Sequence, residues 1–281
     1  MESEEKQFSL GEKLFAHFEA WRVYSLLWSG SVSLVGASVA FKDFPPIDLA
    51  FMVFFIPVFG WIAALYAMDY FDKDLDIIEK PIRPIPSGRI KPKEAIICAF
   101  IFAIAGLILC FFLSIVNLFI IFFVSISVIV YAKISKARGL LQNVNRGLIT
   151  WITFFFGYFA ISNTLSQEIV LFSFIFFLHD ASTNIIGALR DRIGDEKGGF
   201  KTTPVRYGVK NSLIISLFFT ILFISIILYS SINHIIIQYP FRFYLVFIFS
   251  FLCLILLYIM GFYNRNKLDR KKALQLHSLF V

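Results

Sequence analysis

Two short segments of the chain carry acidic residues at a spacing that suits metal binding. Within segments 68–76 and 190–195, acids recur three or four residues apart, so that on a helix they share one face. These acids are Asp69, Asp72 and Asp76 in the first segment, and Asp191 and Asp195 in the second. Like charges at this spacing repel each other unless a cation lies between them. Two such clusters facing each other would hold Mg²⁺, which binds through a few carboxylates and substrate phosphate oxygens.

The face of the second acidic cluster continues into the apolar segment that precedes it. Counting back from Asp191 on a helix places Asn184 and Asp180 on the same face. Ionisable groups within or beside a membrane segment are candidates for function. A solvated helix end with mixed charges would explain one acidic cluster alone, whereas two clusters beside Arg and Lys residues favour a functional site.

Basic side chains accompany both acidic clusters and would complete a site for a diphosphate group. The residues that we assign to diphosphate binding are Lys80, Arg83 and Arg89 after the first cluster, Arg190 and Lys201 around the second, and Lys136 between the two. Proline residues at 81, 84 and 86 stiffen the loop that carries the first group. For any single basic residue, the alternatives are an orientation signal or a contact with lipid headgroups.

The composition indicates what kind of protein positions these residues. Of the 281 residues, 58% are hydrophobic and 16% are charged, whereas soluble proteins have about 45–50% and about 25%. A water-soluble enzyme is therefore excluded, and 36 Phe residues in mainly uncharged runs exclude a disordered chain. The net charge of +7 does not indicate a nucleic-acid partner, because in a membrane chain the positions of the basic residues matter more than their sum. We predict a polytopic membrane protein of one domain, residues 1–281, within the lipid bilayer.

Eight apolar runs are candidates for membrane-spanning helices, each of which needs about 20 residues. They lie at Val23–Ala40, Leu49–Ala67, Ala95–Leu113, Val116–Tyr131, Leu148–Ser162, Ile169–Ala188, Ser212–Ser231 and Phe243–Phe262. The third and fourth runs together are too long for one span, so we predict a turn between them at Asn117. The C-terminal stretch after the eighth run is too short for a ninth full span.

Basic residues are distributed unevenly between the two sides of the predicted bundle. With eight spans, all of the 26 Lys and Arg residues except Lys42 and Arg242 fall on one side. Because the cytoplasmic loops of membrane proteins are rich in Lys and Arg, we predict that this side is cytoplasmic. Both termini, the three long loops and the active site are then expected on the cytoplasmic side.

The two motifs together resemble those of the UbiA superfamily of intramembrane prenyltransferases. The first, DYFDKDLDxxxKPxRPIPSGRI, begins at Asp69, and the second, RDxxGDxxGGFKTTPVRYG, begins at Arg190. The resemblance covers essentially the whole chain in helix number and loop placement. It implies an all-α transmembrane bundle of eight helices, with a ninth in the full-length protein, surrounding a central cavity.

The resemblance also implies roles for individual residues. The catalytic and metal-binding pairs, which hold Mg²⁺ on the diphosphate of an isoprenyl donor, are Asp72 with Asp76 and Asp191 with Asp195. The residues expected in the substrate pocket are Asp69, Tyr131 and Asn184. Tyr131 and Lys136 resemble the Tyr–Lys element of the family, although they are five residues apart where four is also common.

The sequence departs from the family pattern in three places. Met68 replaces the Asn that normally opens the first motif, and residues 187–188, Gly-Ala, replace a Lys-Asp or Asn-Asn pair. The ninth helix is missing or cut short at Val281. Two interpretations of Met68 stay open: either Asp69 or Asn184 supplies the missing oxygen ligand, or Met68 simply packs against lipid.

The leading interpretation is Mg²⁺-dependent transfer of an isoprenyl group from a prenyl diphosphate to an acceptor within the membrane. The alternatives are a terpene cyclase of the same superfamily, a transporter and a non-catalytic lipid-binding protein. A transferase needs an added acceptor for turnover, a cyclase does not, and a transporter releases no pyrophosphate. The acceptor stays open among aromatic acids, quinone precursors, glycerol phosphates and chlorin alcohols.

Overall fold

The computed structural model describes residues 8–233 and 240–280, which are mostly helical. The helices in these ranges are α1 (Leu10–Trp21), α2 (Val23–Phe41), α3 (Ile47–Phe71), α4 (Lys73–Glu79), α5 (Pro92–Cys110), α6 (Ile115–Val130), α7 (Leu140–Phe159), α8 (Gln167–Lys197), α9 (Thr203–Ile232), α10 (Pro240–Tyr263) and α11 (Arg270–Ser278). A π-helical turn at Tyr131–Ser135 extends α6, and two-residue strands β1 (Arg138–Gly139) and β2 (Lys201–Thr202) pair in parallel. The extreme termini, which the sequence predicts to be cytoplasmic, lie outside the described residues.

Each of the eight predicted apolar runs coincides with a helix, namely α2, α3 and α5 to α10, and the all-α transmembrane fold is confirmed. By length and composition, six of the described helices can cross a membrane, or seven if α1 and α2 form one bent span. The six are α3, α5, α6 with its π turn, α8, α9 and the segment Val246–Tyr263 of α10. Helix α7 is less apolar because its first two turns contain Gln142, Asn143, Asn145 and Arg146.

The turn between α5 and α6 precedes the residue at which we predicted it. Helix α5 ends at Cys110 and α6 begins at Ile115, so Asn117 lies within α6. Ser114 Oγ donates to Asn117 Oδ1 at 2.7 Å, and Asn117 Nδ2 donates to the carbonyl oxygen of Phe156 at 2.6 Å. The prediction was wrong because Asn117 serves a buried hydrogen bond inside a helix rather than breaking the chain.

Contacts group the described residues into two compact units. In the first unit, residues 8–122 and 156–161, α3 packs against α2 and α5. Its core includes Ile62, Leu65, Tyr66, Ile90 and Ala95. In the second unit, which contains the other described residues, α8 packs against α9 and α11. Its core includes Ile186, Leu213, Leu257 and Leu276. The single-domain assignment stays a prediction.

Three short helices, α1, α4 and α11, were not predicted because none contains an apolar run of spanning length. Helix α1 begins with a capping box, in which Ser9 and Glu12 bond to each other's backbone N–H groups. Helix α11 belongs to the basic C-terminal stretch and buries Ala273 and Leu276 in the core of the second unit. Short amphipathic helices of this kind have a weaker hydrophobic pattern in the sequence than a membrane-spanning helix has.

Four buried hydroxyl groups join α8, α9 and α10 within the second unit. Ser182, Ser216 and Thr220 lie within 2.9 Å of one another's hydroxyl oxygens or of the Tyr258 hydroxyl. Hydrogen bonds between membrane helices supply part of the attraction that burial cannot supply in lipid. These hydrogen bonds therefore hold α8, which carries the second acidic motif, against α9 and α10.

A glycine in α7 allows a close backbone approach within the first unit. A methyl group at Gly157 would collide with the carbonyl oxygen of Ser33 in α2, which cannot move aside like a side-chain end. We expect Gly157→Ala to lower the free energy of unfolding by about 3 kcal/mol. The matched control is Gly60→Ala on α3, where nothing lies within 4 Å of the added methyl group and the better helix propensity of alanine stabilises by up to about 1 kcal/mol. Thermal unfolding in detergent measures both, and equal midpoints for the two variants would contradict the close approach.

Candidate active site

The first acidic cluster is neutralised by cations of its own unit. Asp69 is buried and pairs with Arg22, and its Oδ1 lies 3.6 Å from Arg83 Nη1. Asp76 is also buried, and Arg83 Nη1 donates to its Oδ2 at 2.5 Å, while Lys80 Nζ lies 3.9 Å from its Oδ1. One arginine thus contacts two acids of the motif, so Asp69 and Asp76 do lie on a common side, as the spacing predicted.

The helical junction between α3 and α4 explains this arrangement. Asp72 lies at the junction, its N–H bonds to the carbonyl oxygen of Met68, and its own carbonyl oxygen accepts from Asp76 N–H. The helical rotation therefore continues through the break between the two helices. Asp74 points away from this side, with its side chain 84% exposed and 3.7 Å from Lys73. Met68 itself is partly buried and packs against the core of the first unit.

Arg22 is a member of this cluster that the sequence did not reveal. It separates α1 from α2 and has left-handed backbone angles, φ 48° and ψ 60°, a conformation that costs a non-glycine residue about 1–2 kcal/mol. The break directs its guanidinium to Asp69, and the ion pair offsets the strained conformation. In the sequence Arg22 is only one of several basic residues before the first apolar run, so no signal distinguishes it.

The loop after α4 places Arg89 among other partners. Its Nη2 donates to the carbonyl oxygen of Ile82 at 2.5 Å, its Nε donates to Ser87 Oγ at 3.0 Å, and its Nη1 lies 2.8 Å from Glu19. The side chain therefore closes the proline-containing loop upon itself and ties it to α1. A diphosphate-binding role for Arg89 stays a prediction, whereas its bracing role is evident.

The second acidic cluster lies on α8, which continues to Lys197 and so keeps Asp191 and Asp195 one turn apart. Asp191 receives two hydrogen bonds from its neighbour Arg190, at 3.1 and 2.7 Å. Asp195 accepts a hydrogen bond from Thr202 Oγ1 at 3.1 Å. Thr202 belongs to β2, next to Lys201, whose side chain is exposed. Both carboxylates are only partly buried.

The C-terminal helix brings an imidazole group to this cluster. The ring of His277 on α11 lies within 3.3 Å of the position that a methyl group would take at Gly187 on α8. Burial lowers the pKa of His277, Arg190 lowers it further, and Asp191 opposes the shift. The glycine that departs from the family pattern therefore makes room for a ring that approaches the Arg190–Asp191 pair. Sequence reasoning missed His277 because it lies 82 residues beyond the motif's last aspartate.

A π turn explains the unusual spacing of Tyr131 and Lys136. The N–H of Lys136 bonds to the carbonyl oxygen of Tyr131 at 3.0 Å, five residues back. This wider turn absorbs one additional residue, and such turns are frequent at functional sites. Lys136 Nζ lies 5.6 Å from the centre of the Phe200 ring, beside the second acidic motif. The structure therefore brings the predicted Lys136 close to the loop that contains Lys201.

Further along α8, the predicted pocket residue Asn184 lies in a polar network with α7 and α9. Asn143 Nδ2 donates to Asn184 Oδ1 at 2.8 Å, and Thr203 Oγ1 donates to Asn143 Oδ1 at 2.5 Å. One turn deeper, Arg146 Nε lies 3.4 Å from Asp180 Oδ2. The predicted span starts at Leu148 and so leaves Arg146 in the connection before it. That boundary is wrong, because Arg146 lies inside α7 and forms an ion pair with a buried acid.

The donor set is suited to a hard cation that is held partly by a substrate. Among the residues that the structure describes, no three His, Cys, Asp or Glu side chains converge closely enough for a preformed metal centre. Mg²⁺ commonly keeps several waters and binds through one or two carboxylates plus substrate phosphates. Paired aspartates beside Arg and Lys, rather than a closed cage, fit that mode of binding.

The apolar helices and the acidic and basic clusters that they position are consistent with an enzyme embedded in the membrane. Residues 29–280 match the UbiA prenyltransferase family, and the chain belongs to that family. It is therefore an enzyme, a prenyltransferase, and an integral multi-pass membrane protein. The interpretations as a transporter and as a non-catalytic lipid-binding protein are set aside.

The chain is similar to two named enzymes and to a solved structure. The chain is 33% identical over 211 residues to a digeranylgeranylglyceryl phosphate synthase of Methanocaldococcus jannaschii, covering 75% of this chain and 74% of the relative. It is 29% identical over 205 residues to the enzyme of that name from Pyrococcus horikoshii, covering 73% of each chain. A UbiA homologue from Archaeoglobus fulgidus, solved with DMAPP and Mg²⁺, has a TM-score of 0.71 at 16% identity, covering 94% of this chain and 96% of that one. That likeness shows the shared fold.

Proposed function

We propose that this protein transfers a prenyl group from a prenyl diphosphate to a hydroxyl group of a prenylated glyceryl phosphate. In the reaction, the bond between the allylic carbon and the diphosphate oxygen breaks. A bond between that carbon and the hydroxyl oxygen forms, and the hydroxyl proton is released with pyrophosphate. The acceptor class is supported by relatives that are named digeranylgeranylglyceryl phosphate synthases and match about three quarters of the chain.

The observation that carries the proposal is the pairing of acids and cations in both motifs. We propose Asp72, Asp76, Asp191 and Asp195 as the carboxylates that hold Mg²⁺. Bound there, Mg²⁺ would neutralise charge on the diphosphate leaving group. The solved homologue with DMAPP and Mg²⁺ supports this cofactor.

Cations that pair with the acids in this structure are suited to bind the diphosphate. Arg83 and Lys80 in the first unit, and Arg190 in the second, neutralise carboxylates that would otherwise repel each other. A diphosphate brings competing negative charge, so these side chains can turn from carboxylate to phosphate oxygens. Preorganised cations aimed at the leaving group stabilise the charge that develops in the transition state. We include Arg22 in this set, because it contacts Asp69 in the same way.

Pyrophosphate release in detergent micelles tests the proposal. The purified chain is supplied with geranylgeranyl diphosphate, with and without geranylgeranylglyceryl phosphate, and with Mg²⁺ or excess EDTA. We expect release that needs both the acceptor and Mg²⁺, and removal of the metal should abolish it. Release without any acceptor would instead indicate a cyclase, and release only with an aromatic acceptor would contradict the acceptor class.

We further propose that the site and the connections after α3 and α8 face the cytoplasm, on the basis of the uneven distribution of Lys and Arg. Exposed positions that allow single cysteine labels, after replacement of the three native cysteines, are Lys93 and Lys197 on the proposed inner side and Asn163 and Asn233 on the outer side. In right-side-out vesicles, an impermeant maleimide should label only the cysteines at 163 and 233. Labelling at all four positions in sealed vesicles would contradict this topology.

A further inference from the structure

Three buried side-chain oxygens on α7 and α8 have no hydrogen-bond partner within the part of the chain that the structure describes. They are Gln142 Oε1, Asn145 Oδ1 and Asp180 Oδ2. Gln142 and Asn145 are each 7% exposed, and Asp180 is 5% exposed. Buried polar groups are almost always hydrogen-bonded, because desolvation without a partner is unfavourable. Asp180 Oδ2 lies 3.4 Å from Arg146 Nε in an ion pair, so the two amide oxygens are the acceptors that require an explanation.

The two amide oxygens lie on the stretch of α7 that contacts α8 through Asn143 and Arg146. Gln142, Asn145 and Arg146 share a face of α7, since they are three and four residues apart. Arg146 meets Asp180 on α8, with 3.4 Å between Nε and Oδ2. One turn away on α8, Asn184 bonds to Asn143 of α7 at 2.8 Å. We call these six residues, Gln142, Asn143, Asn145, Arg146, Asp180 and Asn184, the α7–α8 polar cluster.

The cluster continues the face of α8 that carries the second acidic motif. Asn184 precedes Asp191 by seven residues, which is about 10 Å along a helix axis. A molecule bound at this level would lie next to the proposed diphosphate site and further into the apolar part of α8. The position suits the part of an acceptor that reacts with the donor's allylic carbon.

The chemistry of the cluster selects the kind of ligand. The unfilled atoms of Gln142 and Asn145 are oxygens that accept hydrogen bonds, so a ligand that fills them must donate. A hydroxyl group donates, whereas a carboxylate or a quinone carbonyl offers only further acceptors. The charge of Arg146 is already balanced by Asp180, so the cluster has no surplus positive charge with which to attract an anion.

We propose that the α7–α8 polar cluster binds the hydroxyl group of the acceptor and makes the enzyme selective for alcohols. The inference rests on the proposed function, and it names the part of the acceptor that is recognised and the residues that recognise it. Gln142 and Asn145 are the residues that distinguish a hydroxyl from a group that lacks a donor. Asp180 and Asn184 belong to the same surface through their partners on α7.

A binding experiment with the purified protein tests this selectivity without relying on turnover. The two probes are geranylgeranylglyceryl phosphate and its O-methyl ether, which lacks the hydroxyl proton, and both are measured without donor. We expect wild-type protein to bind the alcohol at least about tenfold more tightly, the effect of leaving a buried acceptor without its donor. Gln142→Leu and Asn145→Leu should each reduce this preference to about twofold or less, with unchanged affinity for geranylgeranyl diphosphate.

Thr153→Val on the same helix is the matched control. Thr153 is buried, but its hydroxyl bonds to the carbonyl oxygen of Ile149 in its own helix at 2.8 Å. This variant should keep the full preference for the alcohol. A role in folding alone would change the thermal midpoint of the leucine variants without altering the ratio of the two affinities.

Equal binding of the two probes to wild-type protein would overturn the inference, as would leucine variants that keep the preference. In that case buried water fills the two amide oxygens. If both leucine variants misfold, the comparison of the two probes on wild-type protein still tests whether the protein is selective for the alcohol. Preference for the alcohol without prenyl transfer to it would refute the proposed function alone, and transfer without preference would refute this inference alone.

Discussion

Replacement of Asp191 by asparagine is expected to lower kcat/KM for prenyl transfer by at least about a hundredfold, the usual effect of losing one group that stabilises transition-state charge. Asparagine keeps the shape of the side chain but removes the charge that the proposed metal site needs. Asp191 is only partly buried and its partner is the adjacent Arg190, so the variant should remain folded. Initial rates at saturating acceptor, with Mg²⁺ varied, measure the loss.

The matched control for this variant is Glu196→Gln on the same helix end. Glu196 is exposed and follows Asp195 directly, so removing its charge should change the rate by about twofold or less, as expected for a surface charge. In the first cluster, Asp72→Asn with Asp74→Asn as its outward-facing control offers the same comparison. A folded Asp191→Asn protein with near-wild-type turnover would show that this carboxylate does not hold the metal.

Removal of the Arg146 charge alone is expected to destabilise the protein strongly. Arg146→Met leaves Asp180 buried without its ion-pair partner, and breaking such a pair costs about 3–5 kcal/mol. The double variant Arg146→Met with Asp180→Leu removes both charges, so it should recover most of the lost stability. Denaturant unfolding in detergent micelles, at one lipid content for all proteins, gives the free energy of unfolding of the wild type and of each variant.

The two single variants separate this ion pair from a general loss of packing. Asp180→Leu should also be less stable than the double variant, because it leaves the guanidinium of Arg146 buried. A double variant that is as unstable as the sum of the single ones would mean that the two side chains act independently. That result would contradict the pairing of Arg146 and Asp180.

Much of the fold could be predicted because lipid imposes a simple length requirement. Every apolar run of spanning length is a helix in the structure, since backbone groups in lipid must bond within their own segment. Helix α7 shows the limit of this rule. Its apolar run starts at Leu148, but the helix begins at Leu140, because polar residues of its first turns are held by α8 and α9. Pairings of this kind depend on neighbours that a linear sequence does not identify.

In the candidate site too, residues close together in the sequence could be predicted, whereas contacts between distant elements could not. The acids were found from their spacing, because residues three and four apart on a helix share a face. Arg22 and His277 were missed, since each reaches its acid from an element far away in the chain. The π turn at Tyr131 explains a spacing that looked irregular. The sequence alone did not identify the residue with which each charged side chain pairs.

The most direct test of the central claim is the identity of the lipid product. Isotopically labelled geranylgeranyl diphosphate, geranylgeranylglyceryl phosphate, Mg²⁺ and purified protein are incubated, and the lipids are analysed by tandem mass spectrometry. We expect a digeranylgeranylglyceryl phosphate in which the labelled chain is joined through an ether oxygen, formed in equal amount with pyrophosphate. A labelled cyclic hydrocarbon, a free prenyl alcohol or an unchanged acceptor lipid would contradict it.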